Sequence, residues 1–167
     1  MATTQETPAA PWHALFPSPK SKAPTISRAE VLGWLHERAR NEGEGEGAVV
    51  VDYVLVDLRR VDYEGGTIST SINLPAQSLY PTIPSLYIIF KQAGIKKVIF
   101  YCGSSAGRGT RAGGWFADYI SEKEVGAEPS GMQSLVLEGG VKGWVKAGEE
   151  YVEKMDGYEE AVWKSGE

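Results

Sequence analysis

Hydrophobic positions fall in short runs separated by polar or glycine-rich stretches, and their spacing switches between the helical and the extended period. Val31, Leu32 and Leu35 follow Ser27-Arg28-Ala29-Glu30, a capping box in which Ser27 and Glu30 satisfy free helix amides. A helix is therefore predicted from there to about Asn41. Two apolar runs come next, Ala48–Val51 and Tyr53–Val56, split by Asp52. The second ends at Asp57 and reads as a buried strand. A short strand is expected at Ser71–Leu74, stopped by Pro75. Ser85–Ala93 carries Leu86, Ile88, Ile89 and Phe90 and ends at Gly94, which predicts a helix. Lys97–Tyr101 is the clearest central strand, and a helix should begin near Arg108 and run through Trp115, Phe116, Tyr119 and Ile120. Ser134–Leu137 reads as another strand, followed by Gly139-Gly140 and a short helix around Val141–Lys146. Strands alternating with helices predict one α/β domain, with a mostly parallel sheet and helices on both faces.

Outside this pattern lie two ends and one linker. Residues 1–24 hold five of the nine prolines and read as a mobile or loosely docked arm, with Trp12, Leu15 and Phe16 in reach of the body. The arm is expected to matter little for activity. Glu42–Gly47 alternates glutamate with glycine and reads as an exposed, flexible loop. Residues 25–148 would form the catalytic domain, and 149–167 an acidic tail, partly helical.

At 167 residues and 42% hydrophobic content, the chain suits one globular domain. Its apolar runs are too short for a membrane span, and no basic-then-apolar leader opens the chain. The expectation is a protein without membrane association, cytoplasmic, with the nucleus as a second location. A single cysteine excludes internal disulfides and multi-cysteine metal sites and fits a reducing compartment. Net charge is −5, which argues against nucleic-acid binding, but residues 91–111 carry five basic side chains and no acidic one. Cys102 lies inside that window. The local excess suits a small anion.

The strand Lys97–Tyr101 runs directly into Cys102-Gly103-Ser104-Ser105-Ala106-Gly107-Arg108, and a helix follows. Ligands of open α/β sheets sit outside the carboxyl ends of strands. A Gly/Ser-rich loop there can turn its N–H groups inward as an anion nest, and the positive end of the next helix adds to the field. A thiol in such a field ionises readily and becomes a nucleophile. Arg108 offers a planar fork for two oxygens of a tetrahedral oxyanion. Cys102 and Arg108 are thus the candidate catalytic pair, with Gly103, Ser104, Ser105, Ala106 and Gly107 as oxyanion-binding residues. The bland alternatives are a buried small hydrophobe for Cys102 and a surface cation for Arg108. Arg111, one turn on, is open between solvated and supporting roles. Gly113-Gly114 inside the helix points to close packing of helix on sheet.

Val54-Leu55-Val56-Asp57-Leu58-Arg59, Tyr63-Glu64-Gly65-Gly66-Thr67-Ile68 and Ile72-Asn73-Leu74-Pro75 resemble the first half of a rhodanese-homology domain. Leu137-Glu138-Gly139-Gly140-Val141-Lys142-Gly143-Trp144 resembles its closing strand and last helix. The resemblance implies a five-stranded parallel sheet flanked by helices, with the active-site loop after the fourth strand. It also implies a structural role for Asp57 and Arg59, and Thr67 stands where the family commonly has a histidine. The seven-residue Cys-x5-Arg loop is similar to that of the cell-division-cycle dual-specificity phosphatases and the fungal and plant arsenate reductases; sulfurtransferases have a shorter one. Gly103 and Gly107 stand where those phosphatases carry loop glutamates, and no Trp-Pro-Asp acid loop occurs, so the general acid is unassigned. His13 and His36 lie outside the family motifs, which argues against a Cys–His dyad.

Loop and resemblance together imply a cysteine-dependent enzyme acting on a tetrahedral oxyanion, arsenate reductase-like, with phosphatase activity as a companion. A protein tyrosine or dual-specificity phosphatase is the first alternative; a thiosulfate sulfurtransferase or non-catalytic rhodanese-like binding module is the second. No bound cofactor and no metal are expected. Substrates would be a small oxyanion or a phosphorylated molecule. With no second cysteine, arsenate reduction would need glutathione and glutaredoxin as external reductant, glutaredoxin being the one protein partner foreseen.

Overall fold

A computed structural model describes residues 7–43 and 50–165. In chain order its elements are β1 (Thr25–Ile26), α1 (Arg28–Gly43), β2 (Tyr53–Asp57), β3 (Thr67–Ile68), β4 (Ile72–Asn73), α2 (Ala76–Gln92), β5 (Lys97–Tyr101), α3 (Arg108–Lys123), β6 (Gln133–Leu137), α4 (Gly140–Lys146), α5 (Glu149–Val152), β7 (Met155–Asp156) and α6 (Glu160–Lys164). The main sheet has five parallel strands in the order β1-β6-β5-β2-β4, as expected. A second, two-stranded antiparallel sheet pairs β3 with β7.

The period of two in β5 sorts the core. Val98, Phe100 and Cys102 face α2 and α3, whereas Ile99 and Tyr101 face α1 and α4. Helices thus cover both faces of the central strands, and the apolar runs of β2 and β5 are buried on both sides. Cys102 continues the α2/α3 face one step beyond the end of β5.

Local sequence accounts for most element ends. The capping box forms as expected: the Ser27 N–H donates to Glu30 Oε2 at 3.3 Å, and the Glu30 N–H donates to Ser27 Oγ at 3.2 Å. α1 runs two residues past the expected Asn41. α2 differs more, beginning at Ala76 rather than near Ser85 and carrying Pro81 and Pro84 inside it. Proline in a helix interior costs about 3 kcal/mol. Here Leu79, Ile83, Tyr87 and Phe90 form a buried stripe against the sheet, and burying that much apolar surface outweighs the lost backbone bonds. The expected loop Glu42–Gly47 falls outside the described residues from position 44 on, as does the run Ala48–Val51 through position 49.

Described segments near both ends of the chain pack on this frame. From Trp12 the N-terminal segment lies along α3. Trp12, Phe16 and Tyr80 ring Trp115 at centroid distances of 6.0, 5.8 and 5.1 Å. Trp115 Nε1 donates to the Pro17 carbonyl at 2.7 Å, and the Lys20 and Ser21 N–H groups donate to Asp118 at 2.7 and 2.8 Å. Of the stretch expected to be mobile or loosely docked, residues 12–21 are held by hydrogen bonds and aromatic packing. The two α3 glycines have separate reasons: a Cβ on Gly113 would meet Val136 of the sheet at 2.6 Å, and one on Gly114 would meet the Ser21 carbonyl of the arm at 2.6 Å. At the other end, Trp163 Nε1 donates to the Gly65 carbonyl at 2.8 Å. The backbone of residues 156–158 sits so close to Gly66 that a Cβ there would meet three of its atoms at 2.8 Å.

Candidate active site

The end of β5 is tied down before the loop begins. Asp57 and Arg59 are buried together, with Arg59 Nη2 donating to Asp57 Oδ2 at 2.7 Å and to the Gly66 carbonyl at 2.6 Å. Thr67 Oγ1 donates to the same Asp57 oxygen at 2.8 Å and lies 2.7 Å from the Tyr101 hydroxyl. Tyr101 in turn donates to Ser71 Oγ at 2.7 Å. Burial, and next the charge of Asp57, push the Tyr101 phenol above its ordinary range, so it stays neutral. Thr67 thereby supplies the polar link expected of a structural residue, and Asp57 and Arg59 act as scaffold.

Beyond Tyr101 the chain wraps from Cys102 to Arg108 and enters α3. Cys102 is 3% exposed. Ser105 takes a left-handed conformation, φ +62°, which a nest of N–H groups requires at its turn. Its side chain is buried under the loop, where Oγ accepts from the Cys102 N–H at 3.4 Å, and its carbonyl accepts from Thr110 Oγ1 at 2.9 Å. The start of the loop is clamped from outside by α4: the Val141 and Lys142 N–H groups donate to the Cys102 and Gly103 carbonyls at 3.0 and 2.9 Å. Gly140, at φ +57°, lets α4 approach that closely. Within the loop the Ala106 N–H donates to Ser104 Oγ at 3.4 Å.

Cys102, Gly103, Ser104, Ala106, Gly107 and Arg108 line one open cleft of about 670 Å³. Ser105 alone among the predicted site residues does not line it; its buried side chain accepts from the Cys102 N–H instead. Arg111 and Lys142 add two further cations to the wall. Arg108 is already engaged: its Nη1 and Nη2 donate to the two oxygens of Asp62 at 2.8 and 2.5 Å. That hydrogen-bonded pairing, against partial burial, holds the Asp62 carboxyl down to about 2. Arg108 is pushed up, first by the bond to Asp62, against desolvation, and then by the charges of Asp62 and Cys102.

Several lining groups are not foreseeable from the sequence. Asp62 lies between the first two motifs, after Arg59 and before Tyr63, where nothing in the spacing shows that the loop folds back onto Arg108. Gln77 enters because α2 starts early; its buried Oε1 has no partner among the described residues. Trp12, His13, Ser18 and Pro19 come from the arm, which thus forms part of the cleft wall. His13, set aside on sequence grounds, lies at the cleft with its ring edge-on to Trp12 at 5.3 Å. His36 sits on α1 and faces Glu150 at 4.0 Å. Among the described residues no group of three or more His, Cys, Asp or Glu could hold a metal ion, and no helix is long and apolar enough to cross a membrane.

A family model for the rhodanese-like domain matches residues 36–147. Over 99 residues the chain is 30% identical to Arsenical-resistance protein 2 of Saccharomyces cerevisiae, an alignment covering 56% of this chain and 74% of the yeast protein. Among solved structures, Ygr203w, described as a yeast protein tyrosine phosphatase of the rhodanese family, superposes with a TM-score of 0.64 at 22% identity. That match covers 86% of this chain and 98% of the other. The As-Sb reductase from Leishmania major superposes with a TM-score of 0.54 at 22% identity, covering 71% and 73%. At such identities the two structures speak for the fold.

Proposed function

From the premise that this chain belongs to the rhodanese-like domain family, we propose that it is a thiol-dependent arsenate reductase whose nucleophile is Cys102 and whose oxyanion clamp is Arg108. The observation that carries this reading is the seven-residue loop from Cys102 to Arg108, closed around a cleft that both residues line. Relatedness to a yeast arsenical-resistance protein and a shared fold with an As-Sb reductase support it.

The chemistry derives from the residues. The Cys102 thiolate attacks arsenic as an As–O bond breaks, with the loop amides and Arg108 holding the remaining oxygens. An external thiolate then attacks the cysteine sulfur. The S–As pair of electrons stays with arsenic, which leaves as arsenite, and Cys102 is left in a mixed disulfide. With only one cysteine in the chain, a second external thiol must restore the free thiol. Glutathione with glutaredoxin fits both roles. Hydrolysis of phosphate esters through a phosphocysteine is the second reading, supported by an open cleft and by a shared fold with a tyrosine phosphatase.

Parallel assays test these readings: arsenate with glutathione and glutaredoxin, p-nitrophenyl phosphate alone, and thiosulfate with cyanide. The expected result is arsenate turnover that stops without added thiol, with one glutathione adduct on Cys102 by intact mass. Cys102→Ser should be inactive. Multiple turnover without thiol, or sulfur transfer to cyanide as the dominant activity, would overturn the proposal.

A further inference from the structure

Displacement at arsenic or phosphorus leaves an oxygen that must collect a proton. The loop cannot supply one: residues 103–107 are Gly, Ser, Ser, Ala and Gly, and a guanidinium does not deprotonate in proteins. Asp62 is the one carboxylate among the described residues lining the cleft with Cys102. Its two oxygens occupy both terminal nitrogens of Arg108, at 2.8 and 2.5 Å. One edge of a tetrahedral oxyanion offers the guanidinium fork the same pair of acceptors. An incoming oxyanion and Asp62 therefore compete for one fork, and an anion that wins it stands directly beside the displaced carboxylate.

We propose that Asp62 is the proton donor for the leaving oxygen, released from Arg108 when the oxyanion takes the fork and returning to it between turnovers. This rests on the reading of Cys102 and Arg108 given above. In the step, the Cys102 thiolate forms its S–As or S–P bond while the bond to the leaving oxygen breaks. That oxygen takes the proton of Asp62 and departs as water or an alcohol, and no change of oxidation state occurs until the external thiol acts. While paired, the Asp62 carboxyl is ionised at neutral pH. Exchange of a cation for a bound dianion reverses the local field, so oxyanion binding is coupled to proton uptake. With a side chain 45% exposed, Asp62 has room to turn.

Charged and titratable groups line the two clefts that Asp62 borders. Arg108 and Arg111 come from α3, Cys102 from the end of β5, Lys142 and Lys146 from α4, His13 from the arm, Arg59 and Glu64 from the chain on either side of Asp62, and Tyr158, Glu160 and Lys164 from the C-terminal segment. The Arg60 N–H also donates to Asp62 Oδ1, at 3.2 Å. Lys142 and Arg111 favour the anion; His13 is the rival donor. Asp62 is preferred because the oxyanion that displaces it from the Arg108 fork is left directly beside its carboxylate.

Inorganic sulfate separates binding from turnover, since it is a tetrahedral dianion that does not titrate between about pH 4 and 9. Calorimetric titration of the full chain with sulfate at about pH 5–6, in buffers of different ionisation enthalpy, should show uptake of a fraction of a proton. Asp62→Asn should abolish the uptake while binding sulfate several-fold more tightly, and His13→Gln should keep it. With aryl phosphates, Asp62→Asn should lower kcat on phenyl phosphate about 100-fold and on p-nitrophenyl phosphate far less, because the better leaving group needs no proton. Absence of sulfate binding, equal proton uptake by wild type and Asp62→Asn, or equal losses on the two esters would overturn the proposal. Transfer of the leaving-group pattern to His13→Gln would do the same. Proton linkage without turnover of arsenate or ester would sink the proposed function and leave the exchange at Arg108 standing.

Discussion

Gly140→Ala tests whether α4 holds the Cys102–Arg108 loop in place. A Cβ at this position would meet the Gly103 carbonyl oxygen at 2.6 Å and come closer still to the Cys102 carbonyl oxygen. Both are backbone atoms of the loop and cannot swing aside as a side-chain tip would. The backbone at Gly140 is also left-handed, at φ +57°, which costs an L-residue about 1–2 kcal/mol. Relieving the contact means moving α4 away and losing the two hydrogen bonds from Val141 and Lys142, each worth about 0.5–1.5 kcal/mol. The expected destabilisation is about 2–5 kcal/mol, which for a chain of this size lowers Tm by roughly 4–20 °C. Urea unfolding gives the free energy, and sulfate titration at a temperature where the variant is fully folded gives the state of the loop. Sulfate affinity should fall at least tenfold. Gly33→Ala is the control, because its Cβ meets nothing within 4 Å; it should stabilise α1 by about 0.5–1 kcal/mol. If Gly140→Ala unfolds like wild type and binds sulfate unchanged, the clamp is not what shapes the loop.

Three further outcomes are expected. Arg108→Lys keeps the cation but loses the two-pronged geometry, so kcat should drop about 100-fold or more with arsenate; a normal rate would reduce Arg108 to a helix-start residue. Gly114→Ala drives a Cβ to 2.6 Å from the Ser21 carbonyl and 2.7 Å from Pro19 Cβ, so the arm should lift off α3. Trp115 fluorescence should then shift red and the arm become protease-sensitive; a variant with wild-type proteolysis would show that the arm accommodates the methyl. The pairing of Asp62 with Arg108 depresses the folded-state pKa, so its stabilising contribution is complete above the ordinary aspartate value and is lost as pH falls through about 2. Urea unfolding of wild type and Asp62→Asn should differ by a constant amount from about pH 7 down to about 4 and converge below it. A gap that persists unchanged to about pH 2 would refute the pairing.

The elements that sequence determined are those whose information is local. The capping box at Ser27 and Glu30 needs only four consecutive residues. The strand Lys97–Tyr101, buried on both faces, shows as an unbroken apolar run, and the Cys102–Arg108 loop is legible because strand, loop and helix follow one another directly. The order of motifs also carried the sheet. Tertiary structure decided whatever depends on a partner far along the chain. The first turns of α2 exist in spite of Pro81 and Pro84 because Leu79, Ile83, Tyr87 and Phe90 find the sheet, a gain no local window contains. Asp62 reaches Arg108 across 46 residues, and the arm reaches α3 across almost a hundred. Ser105, on sequence one more polar loop residue, is turned beneath the loop. Local propensity sets which segments form and where a nucleophile can sit; long-range packing sets which charges meet it there.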